Sequence, residues 1–252
     1  MDFKSAAVNA ALGAGKVLLE DFGRLKHQSA KSNPMDLVTN ADLEAEKLIL
    51  DLISKEFPDH DVLSEETPYS KKESDYQWII DPLDGTLNYS REIPLFATSI
   101  ALAKKGKVVL GVVNLPFYHE LYVAQKGKGC FLNGKKTSVS TRVFGDALLD
   151  IGSSAPAYYL KARENNLHGL RLFGSIIYSL ACVASGRLDH KITDDKPKWD
   201  LAAGALLVEE AGGRVTNWQG ESWSLESKNL LATNGVCHEK ALELLKESKS
   251  MV

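Results

Sequence analysis

The chain has 252 residues, 44% of them hydrophobic and 25% charged, with a formal net charge of −3. That balance belongs to an ordinary soluble globular protein. It lacks the basic surplus of a dedicated nucleic-acid binder, and no apolar run nears the roughly 20 residues that cross a bilayer.

Residues 3–22 place Phe3, Ala6, Ala10, Val17 and Phe22 near helical spacing, which predicts an amphipathic helix. The polar segment 27–36, with Pro34, reads as a loop. Leu43, Leu50, Ile53 and Phe57 mark one face of a second helix, capped by Thr39 or Asn40 and ended by Pro58. Residues 60–67 predict a short strand running into Glu65-Glu66, and residues 68–75 a charged loop. Tyr76 to Ile80 is a short buried strand ending at Asp81. Two strands follow, joined at Lys105-Gly106, then a third at "ELYVAQKG", and Asn133-Gly134 signals a type I′ hairpin. Successive hairpins imply an antiparallel sheet.

The second half alternates strand and helix. Ser175 to Ser185 predicts a helix stopped by Gly186, Leu188 to Ile192 a strand, and "WDLAAGALLVEEAGG" a helix closed by Gly212-Gly213. Strands near 214–217 and 230–233 and a helix from about His238 to Lys246 complete a layered α+β or α/β pattern. Cys130, Cys182 and Cys237 are odd in number, far apart and form no CxxC. They read as free thiols in a reducing compartment. The charged start does not resemble a secretory signal, so the expected location is cytoplasmic.

The chemistry concentrates at Asp81-Pro82-Leu83-Asp84-Gly85-Thr86. Proline presets φ for a turn, and aspartate suits its first position, so both carboxylates fall on one side. Close carboxylates repel unless a cation or proton sits between them. Hard oxygen donors of this kind suit Mg²⁺. Taken singly, each acid has an ordinary alternative: a surface turn for the aspartate pair, a solvated pair for Glu65-Glu66, and a first-turn acid for Asp200. Together they compose a shared cation site suited to phosphoryl hydrolysis. His60, in a loop-like stretch, reads as a surface residue.

Five segments in order carry a resemblance: "DLVTNAD" (36–42), "SEET" (64–67), "WIIDPLDGTLNY" (78–89), "KGKGCFLNGKK" (126–136) and "WDLAAGALLVEEAGG" (199–213). On these the chain resembles the inositol monophosphatase-like, Mg²⁺-dependent, lithium-sensitive phosphatases over nearly its whole length. The resemblance implies a five-layer αβαβα sandwich. It also implies a single catalytic domain over 1–252, with an α+β lobe to about residue 140 and an α/β lobe after it. It implies two or three Mg²⁺ ions held by Glu65, Asp81, the Leu83 carbonyl, Asp84 and Asp200. Glu65 and Thr86 would orient the attacking water, with Asp42 behind the Thr86 hydroxyl. Gly85 and Thr86 N–H groups would hold phosphate, and Lys31 would lie in a mobile loop that closes over the site. The expected partner is a small phosphorylated metabolite, with no nucleic acid and no membrane, and the expected assembly a homodimer.

Substrate choice departs from the family's commoner pattern. Gly174-Ser175-Ile176-Ile177 stands where many members have GSAA or GTAA. Inositol-selective members place a glutamate where this chain has Thr193, followed by Asp194-Asp195. Gly174, Ser175, Thr193 and Asp194, with Asp84, are the expected substrate wall. Asp194-Asp195 also fits a solvated turn. Arg171, Arg187 and Lys191 could meet a second phosphate, or be surface charges. The candidate substrates are inositol 1-phosphate or a similar polyol phosphate, fructose 1,6-bisphosphate, 3′-phosphoadenosine 5′-phosphate, NADP(H) or histidinol phosphate. The non-enzymatic alternative is a regulator that binds RNA-polymerase machinery.

Overall fold

The structure, a computed structural model, describes residues 1–24, 28–30, 37–151 and 156–249. Helix α1 (Phe3–Asp21) is capped by Asp2, whose carboxylate accepts from Ser5 N. Its buried stripe is mostly alanine (Ala6, Ala7, Ala10, Ala11, Ala14), so the next helix can approach closely. Strands β1 (Gln28–Ala30) and β2 (Leu37–Thr39) pair antiparallel and lead into α2 (Asn40–Glu56). Thr39 is the cap: its side chain accepts from Asp42 N while Asp42 accepts from Thr39 N, a reciprocal capping box.

The first sheet has seven strands in chain order. They are β3 (Asp61–Ser64), β4 (Tyr76–Asp84), β5 (Ala97–Lys104), β6 (Lys107–Leu115), β7 (Glu120–Gln125), β8 (Gly129–Leu132) and β9 (Lys135–Lys136). All pairs are antiparallel except β3 with β4. β4 continues past its predicted end at Asp81 to Asp84, and the register breaks between those two residues. Pro82, which has no N–H to give the ladder, sits in the break. The short helix α3 (Thr86–Ser90) follows at once. Asn133 and Gly134 both have positive φ (48° and 77°), as a type I′ turn requires.

His60 lies in the turn after α2, as expected, but is half-buried rather than free at the surface. Its ring stacks between Phe57 and Tyr76, at 5.2 and 4.8 Å between centroids, and it accepts from Trp78 Nε1 at 3.2 Å.

The second half supplies β10 (Leu148–Ile151), α4 (Pro156–Glu164), β11 (Gly169–Arg171), α5 (Ile176–Ala184) and β12 (His190–Asp194). It ends with α6 (Lys198–Glu210), β13 (Arg214–Thr216), β14 (Asn229–Thr233) and α7 (His238–Lys249). The five-stranded sheet runs β11-β10-β12-β14-β13, parallel around β10 and antiparallel beyond β12. β12 begins two residues later than predicted. Arg187 N and Leu188 N both still bond to Cys182 O, closing the end of α5, so the apolar Leu188 belongs to the turn.

Three cores define five layers. One fills the space between the α1–α2 pair and the seven-stranded sheet. A second lies around α5 and α6, between the two sheets. The third joins the five-stranded sheet to α4 and α7. α6 lies hard against β6: a Cβ at Gly111 would stand 2.9 Å from the Ala203 carbonyl oxygen. The three cysteines are buried and unpaired. Among the described residues no helix is long and apolar enough to cross a membrane.

Candidate active site

β4 delivers Asp81, Leu83 and Asp84 to the break in its ladder. Asp81 is 1% exposed, and its Oδ1 accepts from Leu83 N at 3.0 Å, the Asx turn that the Asp-Pro pattern anticipates. Asp84 turns toward the second sheet. Its Oδ2 accepts from Ser175 Oγ and, at 2.7 Å, from Ile177 N, so the carboxylate caps the positive end of α5. Ser175 accepts in turn from Tyr178 N as the helix N-cap.

Between β4 and α3 lies Gly85, with φ +88°. A Cβ there would stand 2.7 Å from Leu95 O, so both conformation and space demand glycine. Thr86 then places its Oγ1 3.0 Å from Leu83 O and 3.2 Å from Asp42 Oδ1. Asp42 also accepts from Thr39 N at 2.8 Å and from the Thr39 hydroxyl. Burial pushes the Asp42 carboxyl up to about 6, against the Thr39 hydrogen bonds, and the charge of Glu65 adds to the rise.

Glu65 follows β3, and a residue not anticipated from sequence holds its backbone. The buried Glu46 carboxylate accepts from the Ser64 hydroxyl, Glu66 N (3.0 Å), Thr67 N (3.2 Å) and Thr67 Oγ1 (2.6 Å), gripping the chain on both sides of Glu65. A usable signal existed: Asp42 and Glu46 are acids four apart on an otherwise apolar helix face. Asp200 sits in the first turn of α6.

The four acids act on one another. Burial holds the Asp81 carboxyl well above its ordinary range, and the charges of Glu65, Asp84 and Asp200 push it further up. Burial also raises Asp84, opposed by its bonds to Ser175 and Ile177. Among the described residues no three His, Cys, Asp or Glu side chains form a group that could hold a metal ion by themselves. Mg²⁺ does not need such a cage, since it binds through one or two carboxylates plus waters and phosphate oxygens. A buried carboxylate crowded by like charge, with a main-chain carbonyl beside it, fits a hard cation.

The expected substrate wall is reached unevenly. Ser175 and Gly174 stand beside Asp84 and Asn88; Asn88 Nδ2 bonds Leu95 O and Phe173 O. Thr193, however, is fully buried on β12, and among the described residues its hydroxyl has no hydrogen-bond partner. Asp194 ends the same strand, opposite Asn229. The three candidate cations are otherwise engaged. Arg187 forms a two-pronged pair with Glu120 (3.0 and 2.7 Å) beyond the far end of α5, Lys191 is buried against Asp150, and Arg171 bonds the Leu170 carbonyl. Lys31 lies outside the described residues.

The model of the inositol monophosphatase family matches residues 2–250. A fructose-1,6-bisphosphatase/inositol-1-monophosphatase of Thermotoga maritima is 34% identical, over 98% of this chain and 97% of its own. A Nus factor SuhB of Pasteurella multocida is 37% identical over 90% of this chain and 89% of its own. Among solved structures, a Thermotoga maritima IMPase superposes with a TM-score of 0.92 at 33% identity, covering 100% and 99% of the two chains. An IMPase/NADP phosphatase complexed with Mg²⁺ and phosphate gives 0.83 at 25% identity, covering 92% and 90%.

Proposed function

Since the chain belongs to the inositol monophosphatase family, we propose that it is a Mg²⁺-dependent phosphomonoesterase acting on inositol 1-phosphate or a similar small polyol or sugar phosphate. One observation carries the reading: Asp81, almost wholly buried, bears the charge of Glu65, Asp84 and Asp200, an arrangement that calls for a cation. Glu65, Asp81, Asp84, Asp200 and the Leu83 carbonyl would hold Mg²⁺, in two or three ions. When bound, Mg²⁺ activates water as a nucleophile and neutralises charge on the leaving ester oxygen.

The chain's own groups do the positioning on which phosphoryl transfer depends. The Thr86 hydroxyl, with Asp42 behind it as acceptor, orients the attacking water together with Glu65. The Gly85 and Thr86 N–H groups offer donors to the phosphate oxygens, where only glycine permits the turn. Thr193 brings no carboxylate to the substrate hydroxyls, which supports a polyol or sugar range broader than inositol. The bisphosphate, nucleotide and histidinol-phosphate substrates of relatives are therefore tested beside it.

The test is phosphate release from inositol 1-phosphate, fructose 1,6-bisphosphate, 3′-phosphoadenosine 5′-phosphate, NADP and histidinol phosphate, with and without Mg²⁺. Release from at least one, dependent on Mg²⁺ and abolished by Asp84→Asn, is expected; release from none overturns the reading. The identity to a relative named Nus factor favours a second reading, a regulator of RNA-polymerase machinery. Asp84→Asn separates the two, because it leaves a purely binding role intact.

A further inference from the structure

Asp150 on β10 and Lys191 on β12 form an ion pair between register neighbours, with Nζ 2.9 Å from Oδ1. They are 1% and 3% exposed. Taking both charges out of water is costly, and such a pair persists only where further hydrogen bonds complete it. Those bonds come from one segment. Asp150 Oδ2 accepts from Ser179 Oγ at 2.5 Å and from Phe173 N at 3.4 Å. Asp150 therefore grips the chain on both sides of Ser175, the residue whose hydroxyl donates to Asp84. Ser179 Oγ is also 2.7 Å from Ser175 O, and the Phe173 carbonyl is tied to Asn88 in α3.

We propose that the Asp150–Lys191 pair is a positioning device for Asp84, acting across the layer between the two sheets. Lys191 holds the Asp150 carboxylate, Asp150 holds the first turn of α5, and that turn holds Asp84 through Ser175 and Ile177. The orientation of a ligand on the seven-stranded sheet is thus set from the five-stranded one. The inference rests on Asp84 being a Mg²⁺ ligand.

The decisive variant replaces both charges by apolar groups of similar volume, Asp150→Leu with Lys191→Met, a change that buried pairs generally tolerate. Its thermal midpoint, its Mg²⁺ affinity by titration calorimetry and its phosphate-release kinetics are compared with wild type. The expected result is a folded protein with a lowered midpoint, because Phe173 N loses its acceptor, with Mg²⁺ affinity weakened about tenfold and KM at saturating Mg²⁺ little changed. Ser179→Ala, which removes one hydroxyl and keeps the pair, should weaken Mg²⁺ in the same direction by a smaller factor. Wild-type Mg²⁺ affinity in the folded double variant overturns the proposal; if that variant does not fold, wild-type affinity in Ser179→Ala does so. Wild-type protein that takes up no Mg²⁺ overturns the metal assignment itself.

Discussion

The Thr86 hydroxyl oxygen lies 3.2 Å from Asp42 Oδ1 and 3.0 Å from the Leu83 carbonyl oxygen, joining the end of β4 to the first turn of α2. One proton serves two acceptors, so the hydroxyl can release the carbonyl and still be oriented by the carboxylate. Thr86→Val keeps the shape and removes the hydroxyl. It should lower kcat by about 10²-fold or more with a smaller change in KM, the size expected when a proton-handling group is lost. Thr86→Ser should recover most of the rate in the same steady-state assay.

Glu46 accepts four hydrogen bonds from the segment around Glu65. Glu46→Ala leaves buried donors without an acceptor and should cost about 3 kcal/mol in urea denaturation. Glu46→Gln retains an oxygen for Ser64, Glu66 N and Thr67 N, so it should restore most of the stability and of the Mg²⁺ affinity. Equal loss in both variants would mean that charge, not acceptance of hydrogen bonds, is what the site requires.

Without metal, ionising Asp81 is costly, because burial and the charges of Glu65, Asp84 and Asp200 all raise its carboxyl. Asp81→Asn keeps an oxygen for Leu83 N and removes the repulsion, so the metal-free variant should melt at a higher temperature than metal-free wild type. Saturating Mg²⁺ should then stabilise wild type, by about 2.7 kcal/mol at a hundred times Kd, and leave the variant unmoved. Differential scanning calorimetry with and without Mg²⁺ reads both effects.

Two buried histidines predict acid sensitivity away from the site. Burial lowers His190 to about 4, with the nearby Asp189 opposing, and lowers His238 to about 4, aided by Arg214. A depressed histidine pKa means that the folded state holds the neutral ring. Its stabilisation is fully present above the unfolded value near 6.5 and is lost as pH falls toward 4. Between pH 7 and pH 5 each histidine should remove about 2 kcal/mol. His190 already stacks on Phe144, 5.7 Å between centroids. His190→Phe should therefore lose less stability than wild type over that interval in urea denaturation.

Legibility followed the range of the physics. The α1, α2 and α6 helices, the hairpins from β5 to β9 and the Asp81–Thr86 turn were readable because each depends on residues a few positions apart. Local pattern marks no element at β10, α4 or β11. The bounds of β12 differ from expectation because both of its faces are buried and carry polar residues, His190 on one and Lys191 and Thr193 on the other, which interrupt the apolar period on which strand reading depends. Polarity alone points His60 and Lys191 toward the surface; aromatic stacking half-buries His60, and an ion pair from another strand buries Lys191. Glu46 and Asp150 were missed because each acts on a segment about 20 residues or more away along the chain.

The amino-acid order alone determined which groups exist and how each turn or cap is made: an Asp-Pro break that needs Gly85, a Thr39–Asp42 box, an acid opening α6. The fold decided which of those groups meet. Ser175 and Asp84 are 91 positions apart, and Lys191 and Asp150 are 41 apart. Local propensity carries no information over such distances. Only the packing of two sheets about one helical layer brings the partners within a hydrogen bond, because burial leaves their polar atoms no water to turn to.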